Sequence, residues 1–441
     1  MNAVVIVGAG PAGMAAALAA GAAADVVLLD NGARPGGQFH RKAPTETPAA
    51  PARAVLAHPR IDHRPHTSVW AVEPGPDGTH RIHTQQGPAD ASRPVDTLDA
   101  RSLILCPGAY DRALPFPGWD LPGVCTAGAA QALAKGQGLA VGRRVVLSGT
   151  GPFLLPVASA LLDAGAEVLG VYEAGTPARW LRRPVTALRD GCAKLPELAA
   201  YTARLARRNV PYRHRTAVVA AHGADRVEAV TVARLDRDWN IRALRRIDGV
   251  DAVCVGFGFT PQLELAVAAG CSLHPGPDGH PVVAVDARQA TSVPGVYAAG
   301  EITGIGGADL AAAEGTVAGA AAIGASTPRA AARVRSGRRF ATALAAAHPV
   351  RPGWRGWLTD DTLICRCEEV GYGDLRTALR DRGADGMRVL KLTSRAGLGP
   401  CQGRICGRNT ADLAGLPPSD RRPIAQPIRL GDLAEPPPQP P

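Results

Sequence analysis

Cys365 and Cys367 stand one residue apart in "ICRCEEV", and 33 residues further on Cys401 and Cys406 stand four apart in "GPCQGRICG". The other five cysteines, Cys106, Cys125, Cys192, Cys254 and Cys271, are scattered through the preceding chain. Two short-range thiol pairs on separate loops can close a four-thiolate cage. A C-x-C pair is an awkward knuckle for zinc, which usually draws on C-x₂₋₄-C in both pairs. Glycine-rich thiolate loops such as "AGLGPCQGRICG" suit an iron–sulfur cluster, whose sulfurs accept backbone N–H bonds. The pattern therefore predicts a [2Fe-2S] centre on Cys365, Cys367, Cys401 and Cys406, with zinc and free or paired thiols as the alternatives. Arg366 and Arg404, interleaved with these cysteines, can offset the negative charge of such a cage; the plainer reading of each is a surface arginine in an Arg-rich chain.

Two further clusters suit nucleotides. In "VVIVGAGPAGMAAA", Gly8, Gly10 and Gly13 lie between an apolar run and a helical segment opened by Pro11 and Ala12, and Asp30 ends the next apolar run 22 residues after Gly8. Glycines at this spacing let the backbone approach a pyrophosphate at a helix N-terminus, while the acidic residue accepts from ribose hydroxyls. In "VVLSGTGPFLLP", Gly149 and Gly151 repeat the first two positions, but Leu154 stands at the third. Glu173, closing "VLGVYE", can accept from a ribose 2′-hydroxyl and would repel a 2′-phosphate, which favours NAD or a plain adenine nucleotide such as ATP over NADP. An empty or merely structural pocket is the equal alternative.

The elements that must carry these residues can be read from the apolar runs. "AVVIVG", "PAGMAAALAAGAAA" and "DVVLLD" make a strand, a helix and a strand, and residues 144–173 repeat that order. "SLILC" (102–106) is a buried strand, runs between 213 and 256 are further strands, and "GVYAAGEITGIGGADLAAAEGTVAG" is a strand, a glycine turn and an Ala-rich helix. Residues 327–354 read as a basic helix and a proline-marked linker, and "EPPPQPP" (435–441) as an extended tail. The fold expected is α/β: two Rossmann-like dinucleotide-binding domains plus a small C-terminal [2Fe-2S] domain. The expected divisions are 1–112 with 255–335, 113–254, a linker at 336–360, the cluster domain at 361–416 and a Pro-rich tail at 417–441.

Composition narrows the field. With 441 residues, 46% hydrophobic and 20% charged, the chain has enough apolar material for two or three cored domains. The first 24 residues carry no charge, but "GAGPAG" interrupts them and no basic region precedes them, which argues against a membrane span. Nine cysteines without regular spacing point to a reducing compartment. The net charge of +10 comes mostly from dispersed Arg without aromatic interleaving, which speaks for a solvated surface or an acidic protein partner rather than nucleic acid. His40, in "GGQFHRK", can be weighed as a proton donor, although a solvated loop histidine is the commoner case. Trp180, Trp239, Trp354 and Trp357 read as core or interface anchors. No substrate acid/base pair is visible, so no catalytic residue is assigned.

"VVIVGAGPAGMAAA", "LILCPGAYDRALPFPGW" and "GVYAAGEITGIGG" together resemble the two-dinucleotide-domain flavoproteins of the glutathione and thioredoxin reductase superfamily. That resemblance implies FAD in the first site, with Gly36, Gly37, Gln38, Gly108 and Gly300 lining it and Glu301 on the ribityl chain. Two departures are "CPGA" for the usual "ATGA", and Glu301 for the usual Asp. "ICRCEEV" with "RAGLGPCQGRICG" resembles the bacterioferritin-associated-ferredoxin type of [2Fe-2S] domain. Over nearly the whole chain, with "GAYDRALPFPGWDLPGVCTAGAAQALAKGQG" (108–138) the most specific stretch, the sequence resembles the alpha subunit of hetero-oligomeric flavin dehydrogenases: opine oxidase, hydroxyproline and archaeal-type proline dehydrogenases, and hydrogen cyanide synthase. The resemblance implies an electron-transfer subunit in the cytoplasm, or peripherally on a membrane. Its partners would be a flavoprotein subunit of the amino acid oxidase type, together with a small ferredoxin-like subunit. The rival readings are a self-sufficient NADH-dependent FAD/iron–sulfur reductase and a nucleotide-stabilised scaffold. A disulfide reductase is disfavoured, because no C-x-x-C or C-x₄-C pair precedes residue 401.

Overall fold

The apolar runs "VVIV" and "VVLL" become strands because both of their faces are covered: Val4 to Val7 and Val26 to Leu29 are all buried. In the computed structural model, which describes residues 2–87, 93–182, 194–418 and 424–434, they pair in parallel, with Val4 opposite Val26. The chain forms two compact units.

The first unit comprises residues 1–109 and 261–342 together with the C-terminal stretch from 420. Its main sheet has seven strands. Asn2–Val7 lies between Val26–Leu29 and Val95–Leu105, with Ile61–Arg64 beyond the first and Val296–Ala298 parallel to the second. Thr67–Pro74 and His80–Gln86 extend the sheet as an antiparallel hairpin. One side carries helices Pro11–Gly21 and Ala308–Ala322, which meet almost backbone to backbone. A Cβ added at Gly315 would stand 2.0 Å from the Ala12 carbonyl oxygen, and one at Gly319 would stand 2.2 Å from that of Ala16. The "GTVAG" spacing thus seats Ala308–Ala322 directly on the helix that opens at the first glycine motif.

The second unit comprises residues 110–260 and 343–419. Its parallel sheet runs in the order Tyr212–His214, Glu167–Glu173, Arg144–Gly149, Ala252–Gly256, Val124–Thr126, beside a three-stranded antiparallel sheet, Thr216–His222, Ala229–Leu235 and Ile241–Asp248. The cysteine region belongs to this unit. It contains the short strand pair Leu363–Cys365 and Val370–Gly371 and the helices Tyr372–Arg380, Met387–Ser394 and Gly407–Ala414.

Several boundaries differ from the sequence expectation. The basic helix expected within 327–354 is Pro328–Ala347; it runs into the presumed linker at 336–360, where Trp354 and Trp357 are buried in the same core as Trp239, with the Trp357 indole donating to the Trp239 carbonyl at 3.1 Å. The presumed 361–416 domain has its own small core around Leu375 and Leu390, yet it is tied to residues 110–119 and 259. Trp119 donates to the Leu363 carbonyl at 2.6 Å, Asn409 to that of Ala113 at 2.6 Å, and Arg408 to that of Phe259 at 2.9 Å. The presumed tail is partly folded: Ala425 is buried in the first unit and donates to the Trp70 carbonyl, and Leu430–Ala434 is helical. Its last residues, 435–441, and Cys192 lie outside the described residues. Among the described residues no helix is long and apolar enough to cross a membrane.

Candidate functional site

The first glycine motif closes into a tight cradle. A Cβ at Gly13 would stand 1.7 Å from the Gly8 carbonyl oxygen, and one at Gly8 would stand 2.3 Å from that of Cys106. Glycine at both positions is therefore a condition of the turn. The helix begins at Pro11, directly after Gly10, so its unpaired N–H groups face the loop. Asp30 is only partly buried; it accepts from Ala9 N–H and Gly32 N–H, each at 2.5 Å. Burial raises its pKa against the pull of those two hydrogen bonds. Gly36 and Gly37 fold over the same loop: Gly36 N–H donates to the Ala9 carbonyl at 2.7 Å, and Gly37 presses on Gly10. Gly300 reaches Ala12 from the other side. Gly8, Gly10, Pro11, Ala12, Gly13, Asp30, Gly36, Gly37 and Gly300 thus surround one helix N-terminus. Gly108 follows the carbonyl that touches Gly8, whereas the Gln38 side chain is exposed and bonded to Arg41.

Glu301 turns back onto its own loop, accepting from Gly306 N–H at 3.1 Å and Gly307 N–H at 2.9 Å. Burial pushes its pKa up to about 7. Behind it lies a network that sequence reasoning missed. Glu314, 1% exposed, accepts from Gly300 N–H at 2.9 Å, Thr303 Oγ1 at 2.7 Å and Arg338 Nε at 2.9 Å, and Arg338 also donates to the buried Gln289 at 3.2 Å. An acidic residue alone in "LAAAEGTVAG", in the middle of a helix made mostly of small apolar residues, was the available signal.

The second motif is built differently. Leu154 is buried at 1% exposure and packs where the first motif has Gly13. The helix starts only at Leu154, five residues after Gly149, whereas the first starts three after Gly8. Glu173, which the sequence reading offers to a ribose, is 1% exposed and already satisfied. It accepts from Thr150 Oγ1, Gly151 N–H and Gly175 N–H, each at 2.8 Å. His348 Nδ1 stands 3.8 Å from the same carboxylate, and the Trp180 indole donates to His348 Nε2 at 3.2 Å. Burial works to raise the Glu173 pKa, but His348, Thr150 and Gly175 outweigh it and hold the carboxyl below its ordinary value.

The four C-terminal cysteines adjoin one another. Thiol hydrogen bonds link Cys365 to Cys406, Cys406 to Cys401 and Cys401 to Cys367. Among the described residues no group of three or more His, Cys, Asp or Glu forms a ready cage for a single metal ion. Backbone donors reach Cys365, Cys367 and Cys401. Cys365 Sγ accepts from Gly397 N–H at 3.4 Å and from the N–H groups of Glu368 and Cys367, and Cys401 accepts from those of Ile405 and Gly403. Hydrogen bonds from Cys406 hold Cys365 and Cys401 below the ordinary thiol pKa, and Cys406 itself is pushed up. The glycines of "AGLGPCQGRICG" make room for this: a Cβ at Gly399 would stand 2.4 Å from that of Cys367. Arg366 lies over the Trp119 ring at 5.0 Å, and Arg404 bridges the Tyr110 hydroxyl and the Cys401 carbonyl, each at 3.0 Å. Arg366 is exposed but rests on an indole face, and Arg404 is partly buried.

Residues 2–317 match the family described as pyridine nucleotide-disulphide oxidoreductase. The chain is 32% identical to the A subunit of opine oxidase from Agrobacterium tumefaciens (strain Ach5), over 97% of this chain and 90% of that one. It is also 32% identical to hydrogen cyanide synthase subunit HcnB of Pseudomonas protegens, over 91% and 89%. The crystal structure of L-proline dehydrogenase from P. horikoshii superposes with a TM-score of 0.69, at 20% identity, over 98% of this chain and 79% of that one. The chain belongs to the pyridine nucleotide-disulphide oxidoreductase family and is a FAD-dependent oxidoreductase within it.

Proposed function

We propose that this chain is the electron-transfer subunit of a multi-subunit dehydrogenase acting on an amino acid, an opine or a related secondary amine. In this reading it takes electrons from an amino acid oxidase-like flavoprotein partner and passes them to an external acceptor. The observation that carries the proposal is the row of four adjoining thiols, three of them met by backbone N–H groups, in a chain whose first glycine cradle is complete. The relatives' names support the division of labour, since the opine oxidase relative and HcnB are both subunits by name.

The residues fit both cofactors. FAD would lie against Gly8, Gly10, Gly13 and Asp30, where added side chains would fill the cradle. A [2Fe-2S] cluster would be held by Cys365, Cys367, Cys401 and Cys406, and the sulfurs of the first three already face N–H donors of the kind that stabilise such clusters. When bound, FAD exchanges electrons in pairs and the cluster exchanges them singly. The chain's own part is to hold the two, brace the cysteine loops through Trp119 and Arg404, and keep charge of the right sign beside the thiolates. The parallel sheet of the second unit then serves as scaffold for the cysteine region, because Glu173 is spent on its own backbone and His348.

The test is anaerobic mixing of the isolated chain with a panel of opines, prolines, hydroxyprolines and glycine, repeated with the partner subunit present. Reduction only in the second case supports the reading. Bleaching of the isolated chain by any of them places the substrate site on this polypeptide instead. Iron and acid-labile sulfide in equal amounts, lost together in Cys367→Ser, test the cluster; stoichiometric zinc would reverse that assignment.

A further inference from the structure

Cys125 and Cys254 are 129 residues apart in sequence, yet they are register partners on adjacent parallel strands of the second unit, Val124–Thr126 and Ala252–Gly256. Their sulfurs stand 3.8 Å apart and are linked by a thiol hydrogen bond. Neighbouring strands put Cα atoms about 4.8 Å apart, inside the range of about 4.4–6.8 Å that disulfides span. Closing the remaining sulfur gap needs side-chain rotation together with a small approach of the two strands, since opposed Cβ atoms on neighbouring strands stand about 4.5–5.5 Å apart and a disulfide spans about 3.5–4.5 Å. The two thiols differ in access. Cys254 is fully buried, whereas Cys125, on the edge strand next to the Thr126 cap of helix Ala127–Gln137, is partly exposed.

We propose that Cys125 and Cys254 form a peroxide-reactive dithiol, in which Cys125 is oxidised first and Cys254 resolves it to a disulfide. The Cys125 thiolate attacks one peroxide oxygen, the O–O bond breaks, and sulfenic acid and water are formed. The Cys254 sulfur then displaces the second oxygen as water. In sum, two thiols and one hydrogen peroxide give one disulfide and two waters, and an external dithiol reverses the change. The surroundings suit that order: the hydrogen bond between the two thiols lowers the Cys125 pKa against the opposing pull of burial and the Asp111 carboxylate, and the Arg366 guanidinium helps to lower it. The assignment does not depend on the electron-transfer reading.

Peptide mapping tests it on the whole, cofactor-loaded chain. Trypsin places Cys125 alone in residues 113–135, and Cys254 with Cys271 in residues 247–288. After brief treatment of the folded chain with a few equivalents of hydrogen peroxide, removal of the peroxide, and denaturation in N-ethylmaleimide, both Cys125 and Cys254 should lose the label seen without peroxide, and Cys271 on the same peptide as Cys254 should keep it. The two peptides should appear cross-linked and two hydrogens lighter, and dithiothreitol should restore the labelling. In Cys254→Ser, Cys125 should be captured by dimedone as a sulfenic acid. Full labelling of both residues after peroxide would overturn the proposal, and so would oxidation of Cys125 to sulfinic acid in the wild type without a cross-link. Absence of a dimedone adduct in the variant would overturn the assignment of Cys125 as the residue attacked first.

Discussion

The two glycine motifs begin from nearly the same strand–turn–helix sequence and end as different objects. In the first, Gly13 lets the helix start at Pro11 and leaves Asp30 partly open beside its backbone donors. In the second, Leu154 fills the third glycine position, the helix starts two residues later, and Glu173 is enclosed by Thr150, Gly151, Gly175 and His348. The carboxylate makes the same kind of loop contact in both, so that contact does not by itself mark a ligand site. The difference lies in what remains of the acid once the backbone has been satisfied.

The largest effect should come from making the first motif like the second. Gly13→Val puts a branched side chain where even a Cβ overlaps the Gly8 carbonyl. It should yield colourless protein and cost about 4 kcal/mol or more, read by flavin absorbance and denaturant unfolding. The reverse change should not restore a nucleotide site. Leu154→Ala leaves a cavity costing about 2–5 kcal/mol and should give no NADH or ATP binding by calorimetry, because His348 and Trp180 still cover Glu173.

The acids should also titrate in opposite senses. Burial raises the folded-state pKa of Glu301 from 4.5 to about 7, so its contribution is complete below the unfolded value and is lost as pH rises through about 7. The loss should be about 3 kcal/mol between those limits, absent in Glu301→Gln, in chemical denaturation across that range. Glu173 is held below its ordinary value, so its contribution is present at neutral pH and lost as pH falls through the folded-state pKa. Glu173→Gln should cost about 2 kcal/mol at neutral pH and less in acid.

What could be read in the sequence follows from the range of the interactions. Strand, turn and helix around Gly8 and Gly149 are written in consecutive residues, and so are the cysteine pairs. The departure at Leu154 was visible too, because it breaks a spacing. His348 on Glu173, Arg338 on Glu314 and the pairing of Cys125 with Cys254 depend on segments far apart in the chain, and no local period reports them. The stretch 336–360 looked like a linker because its prolines and glycines are punctuation in one dimension. Trp354 and Trp357 carry the opposite message, which only their shared core with Trp239 makes plain.

The most direct test of the account is anaerobic stopped-flow mixing of the flavin-loaded chain with NADH, followed at the flavin absorption band. With Glu173 enclosed and the second helix beginning late, the flavin should stay oxidised, while the partner flavoprotein with its amine substrate should reduce it. Prompt, stoichiometric bleaching by NADH alone would show that the second unit is a working nicotinamide site and that the chain takes its electrons there.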